Sequence, residues 1–322
     1  MGNENYLLFG IITSYHIYSI EGVEMSDISL PWKMSESSNS FKINLSCSSI
    51  SDDITSISND EDKVPQAITD LEDGDSVHDI VKTIGEESLL SYNIPEKIII
   101  ILDRANDDNC TYFETSSGKK YSPLFMLHHA LKIFLHNKAF INSQHEFALM
   151  QLNEHTATWV HDFTSSVQDI LTSIRNITDL PCEPEDVFDL TKLFELISEK
   201  LDLNQLSFST SIPPSYVVRT IFFYGRSYSL PELRQTTEVE KLFSSPYFTV
   251  DVIMTHEPPD SSNYCDQIFK SLQKIDMKGS SYTFSVSRNA SELHCAMAKI
   301  LSHPLQRPHQ INANYDLKLL NI

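Results

Sequence analysis

Glycine is scarce in this chain: 322 residues hold eight, and no two lie within three positions of each other. A GxGxxG turn or a P-loop needs closely spaced glycines so that backbone can approach phosphate at a helix start, and neither can be written anywhere. A dinucleotide role is disfavoured on that ground, and no cofactor is expected. Cysteine is sparse too. Cys47, Cys110, Cys182, Cys265 and Cys295 are widely scattered, with no CxxC pair to hold zinc or run redox chemistry, a pattern that suits a reducing compartment. Positive charge is the next shortage, with 24 Lys and Arg against 44 Asp and Glu and a net charge of −20. Residues 1–92 alone carry 17 acidic residues against four Lys. Such a field repels phosphate, and no basic run offsets it, so direct nucleic-acid binding is excluded as an expectation. The apolar stretch Tyr6 to Ile20 contains His16 and falls short of the roughly 20 residues a membrane span needs. It lacks preceding basic residues, and Tyr6 stands where myristoylation after Gly2 wants Ser or Thr. A cytoplasmic and nuclear protein is expected, so the Asn-x-Ser tripeptide at Asn289 carries no glycan meaning. There is also no GxSxG, no HExxH and no metalloprotease-type His-x-His motif, which leaves a hydrolase reading only a cysteine with a remote His.

What the chain does have is a stretch around which the rest can be arranged. Pro95 to Asp107 reads Pro-Glu-Lys-Ile-Ile-Ile-Ile-Leu-Asp-Arg-Ala-Asn-Asp. An uninterrupted apolar run of this kind fits a strand buried on both faces, in the centre of a parallel sheet. Ligands of open α/β sheets sit beyond the carboxyl ends of such strands, which puts Asp103 where chemistry is expected. A strand-end divalent-ion site would follow that Asp with serines, as Asp-x-Ser-x-Ser. Here those positions are Ala105 and Asp107. Hard cations need several convergent oxygens and Ala105 supplies none. A second long run, Tyr216 to Tyr224, ends in Gly225-Arg226-Ser227, so a positive charge stands where another carboxylate would be wanted. The expectation is a sheet built like a metal-binding module whose metal site, at Asp103, Ala105, Asp107 and Arg226, is degenerate. The alternative is a metal-dependent ligand-binding module that uses Asp103 and Asp107 with water in place of the missing hydroxyls.

Along the chain, residues 1–92 combine serine clusters with acid and are expected to be disordered, since they cannot bury enough surface to offset chain entropy. Ser122 and Pro123 open a helix whose stripe is Leu124, Leu127, Leu131, Phe134 and Leu135. His128, His129 and His136 lie on it as structural histidines. His145 to Leu152 and Thr156 to Val160 make an antiparallel pair with Trp159 covering the edge. Further helices are expected over Ser165 to Ile174, from Pro184 with the stripe Leu190, Leu193, Phe194, Ile197 and Leu201, and over Tyr264 to Ile275. Strands are expected at Phe248 to Met254 and Tyr282 to Ser287. A last helix is capped by Asn289, and the domain is expected to span 93–303. In the tail 304–322, Pro304-Leu305-Gln306-Arg307-Pro308 brackets a Leu and an Arg with prolines. That suits either an extended docking peptide lying outside the core or a mere linker.

Several stretches resemble a known family. These are Ser211-Ile-Pro-Pro-Ser-Tyr-Val-Val-Arg-Thr-Ile221, Ser245-Pro-Tyr-Phe-Thr-Val-Asp251, Lys278-Gly-Ser-Ser-Tyr282, His145-Glu-Phe-Ala-Leu149 and the run from Glu292 to Pro308. They are similar to the Merit-forty family, von Willebrand A-like adaptors of the BRISC and BRCA-A deubiquitinase assemblies. The likeness runs from about Pro95 to Pro308 and reaches nothing before residue 93. It implies a von Willebrand A-like, doubly wound, mostly parallel sheet with one antiparallel edge strand. It also implies a non-catalytic subunit of assemblies that cleave lysine-63-linked ubiquitin and serve the DNA damage response. The direct partner implied is a BRE-like E2-variant subunit, with a zinc metalloprotease subunit and its Abraxas-type scaffold reached indirectly. The docking role falls on Pro304, Leu305, Gln306, Arg307 and Pro308.

Overall fold

The computed structural model describes residues 94–106, 110–181, 186–201, 214–275, 278–313 and 315. The acidic segment 1–92, Asp107, Cys182 and the expected helix start at Pro184 lie outside the described residues. Strand β1 (Glu96–Asp103) is central, flanked by β5 (Glu146–Leu152) and β9 (Val217–Tyr224), both parallel to it. β11 (Phe248–Thr255) and β12 (Thr283–Val286) extend the sheet beyond β9, also in parallel. β6 (Ala157–Thr164) closes the other side antiparallel to β5. The order β12-β11-β9-β1-β5-β6 is that of a doubly wound sheet reversing direction beside its first strand. With its single antiparallel edge strand the fold is von Willebrand A-like, as the resemblance implied.

The four isoleucines explain why β1 is central. Ile98, Ile100 and Leu102 enter one core cluster, Ile99 and Ile101 the other, and all five are fully buried. Each such side chain contributes about 1.5–3 kcal/mol on leaving water. On the first face lie α1 (Pro123–Ile141), α2 (Val167–Arg175) and α6 (Ala290–Lys299). On the second lie α3 (Thr191–Lys200), α4 (Thr237–Ser244) and α5 (Cys265–Gln273). Ser122 caps α1 by accepting from Phe125 N, and Asn289 caps α6 by accepting from Ser291 N and Glu292 N. Three short pairs lie among the described residues: β2 (Ala105–Asn106) with β7 (Leu180–Pro181), β3 (Phe113–Glu114) with β4 (Lys120–Tyr121), and β8 (Val187–Asp189) with β10 (Leu230–Glu232). No helix among the described residues is long and apolar enough to cross a membrane.

Two expectations need correction. The helix carrying Leu193, Phe194 and Ile197 begins at Thr191, because Val187–Asp189 is drawn into strand pairing with β10 and Asp189 accepts from Thr191 N. The larger correction concerns the tail. Pro304, Leu305 and Arg307 are buried, so the segment is part of the core and the domain does not close at His303.

The cause is a set of charges beneath the amino-terminal halves of the strands. Glu96, Arg219 and Asp251 are on the first face of the sheet by strand alternation, and each is fully buried. Arg219 Nε donates to Asp251 Oδ2 at 2.6 Å and its Nη1 to Glu96 Oε2 at 3.2 Å. Lys138 from α1 pairs with Glu96, and Arg307 from the tail grips Asp251 through both terminal nitrogens. The Arg307 guanidinium also lies 3.9 Å from the Tyr282 ring centroid. Burial raises the Glu96 and Asp251 carboxyls, but these cations outweigh it and hold both below the usual carboxylate range. Removing one partner of a buried pair costs about 3–5 kcal/mol, because the other charge is stranded. Arg307→Ala is therefore expected to lower the thermal midpoint of the isolated protein markedly. A midpoint within a degree or so of the parent would show the tail to be dispensable to the fold.

The histidines set the pH dependence. His145 Nδ1 accepts from Glu96 N at 2.9 Å, which requires that nitrogen unprotonated, and burial pushes its pKa down to about 4. His294, packed edge-on against His129, is likewise pushed down by burial to about 4. Between the ordinary histidine value of about 6.5 and 4, the unfolded chain takes up protons that the native one refuses. Stability is then full above that range and falls as pH falls, by about 1.4 kcal/mol per pH unit for each histidine. Urea unfolding across this window should show that slope, and His294→Leu should remove its share; a flat profile would contradict the assignment.

Candidate functional site

The carboxyl ends of β1, β9 and β11 form the rim where a ligand of such a sheet is expected. Asp103 is there and is 6% exposed. Its Oδ1 accepts from Ala105 N at 3.1 Å and from Arg226 Nη2 at 3.2 Å. Its Oδ2 accepts from Arg226 Nε at 3.1 Å and Gly225 N at 3.2 Å. Arg226 is itself held on all sides. Nη1 donates to Glu154 O at 2.8 Å, Nη2 also donates to Asn153 O, and the guanidinium carbon sits 3.9 Å from the Phe188 ring centroid. The planar fork therefore ties β9 to β1 and to the β5–β6 turn at once, a geometry a lysine could not reproduce.

Sequence reasoning placed Asp103, Ala105 and Arg226 at one end of the sheet, and the structure brings them together. Ala105 contributes its backbone N–H rather than an oxygen. Asp103 Oδ1 carries three donors, Arg226 Nε also lying 3.3 Å from it, and Oδ2 two, so a cation would have to displace the guanidinium. Among the described residues no group of three or more His, Cys, Asp or Glu is arranged to hold a metal ion. The expected α1 histidines do not form one.

A second rim cluster was not singled out from the sequence. Glu257, just beyond β11, accepts from Arg288 Nε at 3.1 Å and Nη2 at 2.8 Å. It also accepts from Thr111 N at 3.1 Å and from the Thr111 hydroxyl at 2.5 Å. Burial raises the Glu257 carboxyl, but the Thr111 hydrogen bonds and Arg288 outweigh it and hold it below its ordinary value. Neither Glu257 nor Arg288 lies in a motif, and the contact joins segments 31 residues apart. Only the fold makes it visible.

At the opposite end of the sheet the tail residues are arranged as a buckle. His303 accepts from Leu305 N through Nδ1 at 3.2 Å and meets Ile94 O through Nε2 at 2.9 Å, fixing one neutral tautomer. Tyr282 donates its hydroxyl to Pro308 O at 2.7 Å. Beyond it the chain emerges: Gln306 is half-buried, Pro308 is exposed, and Ile311, in the 3₁₀ turn Gln310–Asn312, is 94% exposed.

The rim gives a direct test of how Asp103 is used. Arg226→Ala leaves a carboxylate at the end of β1 with only two backbone donors, and an unfolding free energy lower by about 3–5 kcal/mol is expected. Asp103→Asn with Arg226→Ala should recover part of that loss in a double-mutant cycle. Strict additivity of the two changes would mean that the pair is not coupled.

Comparison with known proteins gives a consistent family. No protein-family model matches the chain. The chain is 35% identical over 231 residues to BRISC and BRCA1-A complex member 1 of Danio rerio, covering 70% of this chain and 61% of that protein. It is 36% identical over 228 residues to the protein of the same name from Xenopus laevis, covering 70% and 68%. The Homo sapiens protein is 36% identical over 230 residues, covering 70% and 69%. The match thus spans about two thirds of these relatives. Solved structures similar to the chain include the PilB minor pilin from Streptococcus sanguinis, with TM-score 0.45, 11% identity, and coverage of 67% of this chain and 62% of that one. The SpRpn10 VWA domain aligns with TM-score 0.38, 11% identity, and coverage of 67% and 99%. At the identity and coverage found with the frog and human proteins, this chain belongs to the family of the BRISC and BRCA1-A complex member 1 proteins.

Proposed function

We propose that this chain is a non-catalytic adaptor subunit of a deubiquitinase assembly of the BRISC or BRCA1-A kind, acting in cytoplasm and nucleus on lysine-63-linked ubiquitin through its partners. Family membership is the observation that carries the reading, since the relatives are named as members of those complexes. The rim supports it: the acidic position at the end of β1 is committed to a guanidinium, a use that serves rigidity rather than turnover. The direct partner in this reading is a BRE-like E2-variant subunit, which links the chain to the zinc metalloprotease subunit and its Abraxas-type scaffold.

The docking element is the segment Pro304, Leu305, Gln306, Arg307 and Pro308, with its residues divided between two tasks. Leu305 and Arg307 fasten it to the domain, while half-buried Gln306, exposed Pro308 and Ile311 just beyond leave surface for a partner. A segment held in one conformation before binding loses little entropy when a partner closes over it. A nearly fully exposed isoleucine in a 3₁₀ turn offers apolar surface that a partner's pocket can take out of water.

The test combines Gln306→Ala, Pro308→Ala and Ile311→Asp in the full chain, avoiding the buried residues. Calorimetry against the BRE-like subunit should show binding weaker by about tenfold or more, with an unchanged circular dichroism spectrum and thermal midpoint. Equal affinity would move the interface to another surface of the domain. A parent chain that does not bind the subunit would remove the adaptor reading itself.

A further inference from the structure

The Glu257–Arg288 pair leaves one atom unused. Arg288 is 6% exposed, yet its Nη1 has no hydrogen-bond partner, a deficit that costs a buried donor about 1–3 kcal/mol. Its backbone is also strained, with φ 51°, in the left-handed region that residues bearing a side chain rarely occupy. Strain and an unmet donor in one residue are features that gather where a fold has something to hold.

Arg288 lines a small hollow at the carboxyl ends of β1, β9 and β11, together with Cys110, Asp103, Gly225 and Thr255. Its volume is about 20 Å³, room for one water-sized atom. Cys110 Sγ lies 3.4 Å from Arg288 Nη2, on the same guanidinium as the unmet Nη1. Cys110 is half-buried as a residue and outside any disulfide, so it is not sealed in the core. It is also held in place, because the next residue, Thr111, is tied to Glu257 through its backbone N–H and its hydroxyl. A guanidinium beside a sulfur stabilises negative charge on it, and the thiolate is the reactive form. Among the described residues two carboxylates line the hollow: Asp103 is neutralised by Arg226, and burial raises the Asp179 carboxyl. Glu257 is paired with Arg288 itself, so the guanidinium acts on the sulfur as a hydrogen-bond donor rather than as an unbalanced charge. Cys265 is the internal contrast: fully enclosed and pushed up by burial to about 11.

We propose that Cys110 is a peroxide-reactive thiol and that Arg288 Nη1 receives the oxygen that its oxidation adds. In the step, the Cys110 thiolate attacks one oxygen of hydrogen peroxide, the S–O bond forms, and the O–O bond breaks. Hydroxide leaves and takes up the proton released by the thiol, giving water. Sulfur loses two electrons and peroxide gains them, and the product is the sulfenic acid. The hollow has space for that single oxygen, and the guanidinium has the donor for it. The modification is independent of the adaptor reading.

The experiment uses the full native chain. Hydrogen peroxide is added with dimedone, which traps sulfenic acids, and the cysteine peptides are quantified by mass spectrometry. Cys110 is expected to label about tenfold faster than Cys265 or more, and Cys110→Ser to abolish that label. The alkylation rate of Cys110 with iodoacetamide is then followed against pH in the native protein and in urea. The native midpoint is expected below the unfolded one by about one pH unit. Arg288→Gly, chosen because glycine accepts the left-handed backbone, should bring the dimedone rate down toward that of Cys265. An unlabelled Cys110, or a native midpoint equal to or above the unfolded one, overturns the proposal using the parent protein alone. A folded Arg288→Gly that labels as fast as the parent overturns the role given to Arg288.

Discussion

One carboxylate holds the lower half of this domain together. Asp251 takes Arg219 and Arg307 on its oxygens and also accepts from Tyr282 N at 2.7 Å, so β9, the entry to β12 and the carboxy-terminal segment meet at one residue. The charges do not balance within the cluster: Lys138, Arg219 and Arg307 face Glu96 and Asp251, with His145 and His303 held neutral. The extra positive charge is met by backbone carbonyls, those of Leu301, Ser302 and Ser280. A buried network of this kind adds little stability over an apolar core of the same shape, but it tolerates only one arrangement of the segments it joins. What it gives this protein is a fixed course for the chain after α6.

The two ends of the sheet use the same device for different purposes. At the floor, arginine binds a segment remote in sequence to the strands. At the rim, Arg226 reaches Asp103 and the β5–β6 turn, and so occupies the place where open α/β sheets receive ligands. In both places the guanidinium plane is matched by two or more acceptors and an aromatic face, Tyr282 below and Phe188 above. A domain secured at both ends in this way presents stable surfaces on either side of the sheet.

Much of this was legible before the structure. The isoleucine run could only be a strand enclosed on two sides, at the centre of a parallel sheet. Asp103, Ala105 and Arg226 were placed correctly because strand ends are easy to locate when the apolar run stops abruptly. The tail was misjudged for a definite reason. Two prolines around Leu305 and Arg307 signal an extended backbone, but local sequence does not say whether extended chain lies against solvent or against a buried carboxylate. Asp251 sits inside an apolar strand, and an acid at such a position is itself a sign that a distant cation is owed to it. The short pairing of β8 with β10 and the Glu257–Arg288 contact left no comparable trace, since each depends on residues far apart in sequence whose types are unremarkable in isolation.

The Gln310 side chain gives the sheet a direction. Its Nε2 donates to Thr283 O and its Oε1 accepts from Thr283 N, both within 2.9 Å, so one amide supplies to the start of β12 the two bonds that another strand would have made. At Thr283 that margin is closed by the protein's own chain. The far margin, β6, is eight residues long, rich in Thr, Trp, Val and Phe, and carries no proline. A second polypeptide pairing with the start of β12 by its backbone would first have to displace that amide from Thr283.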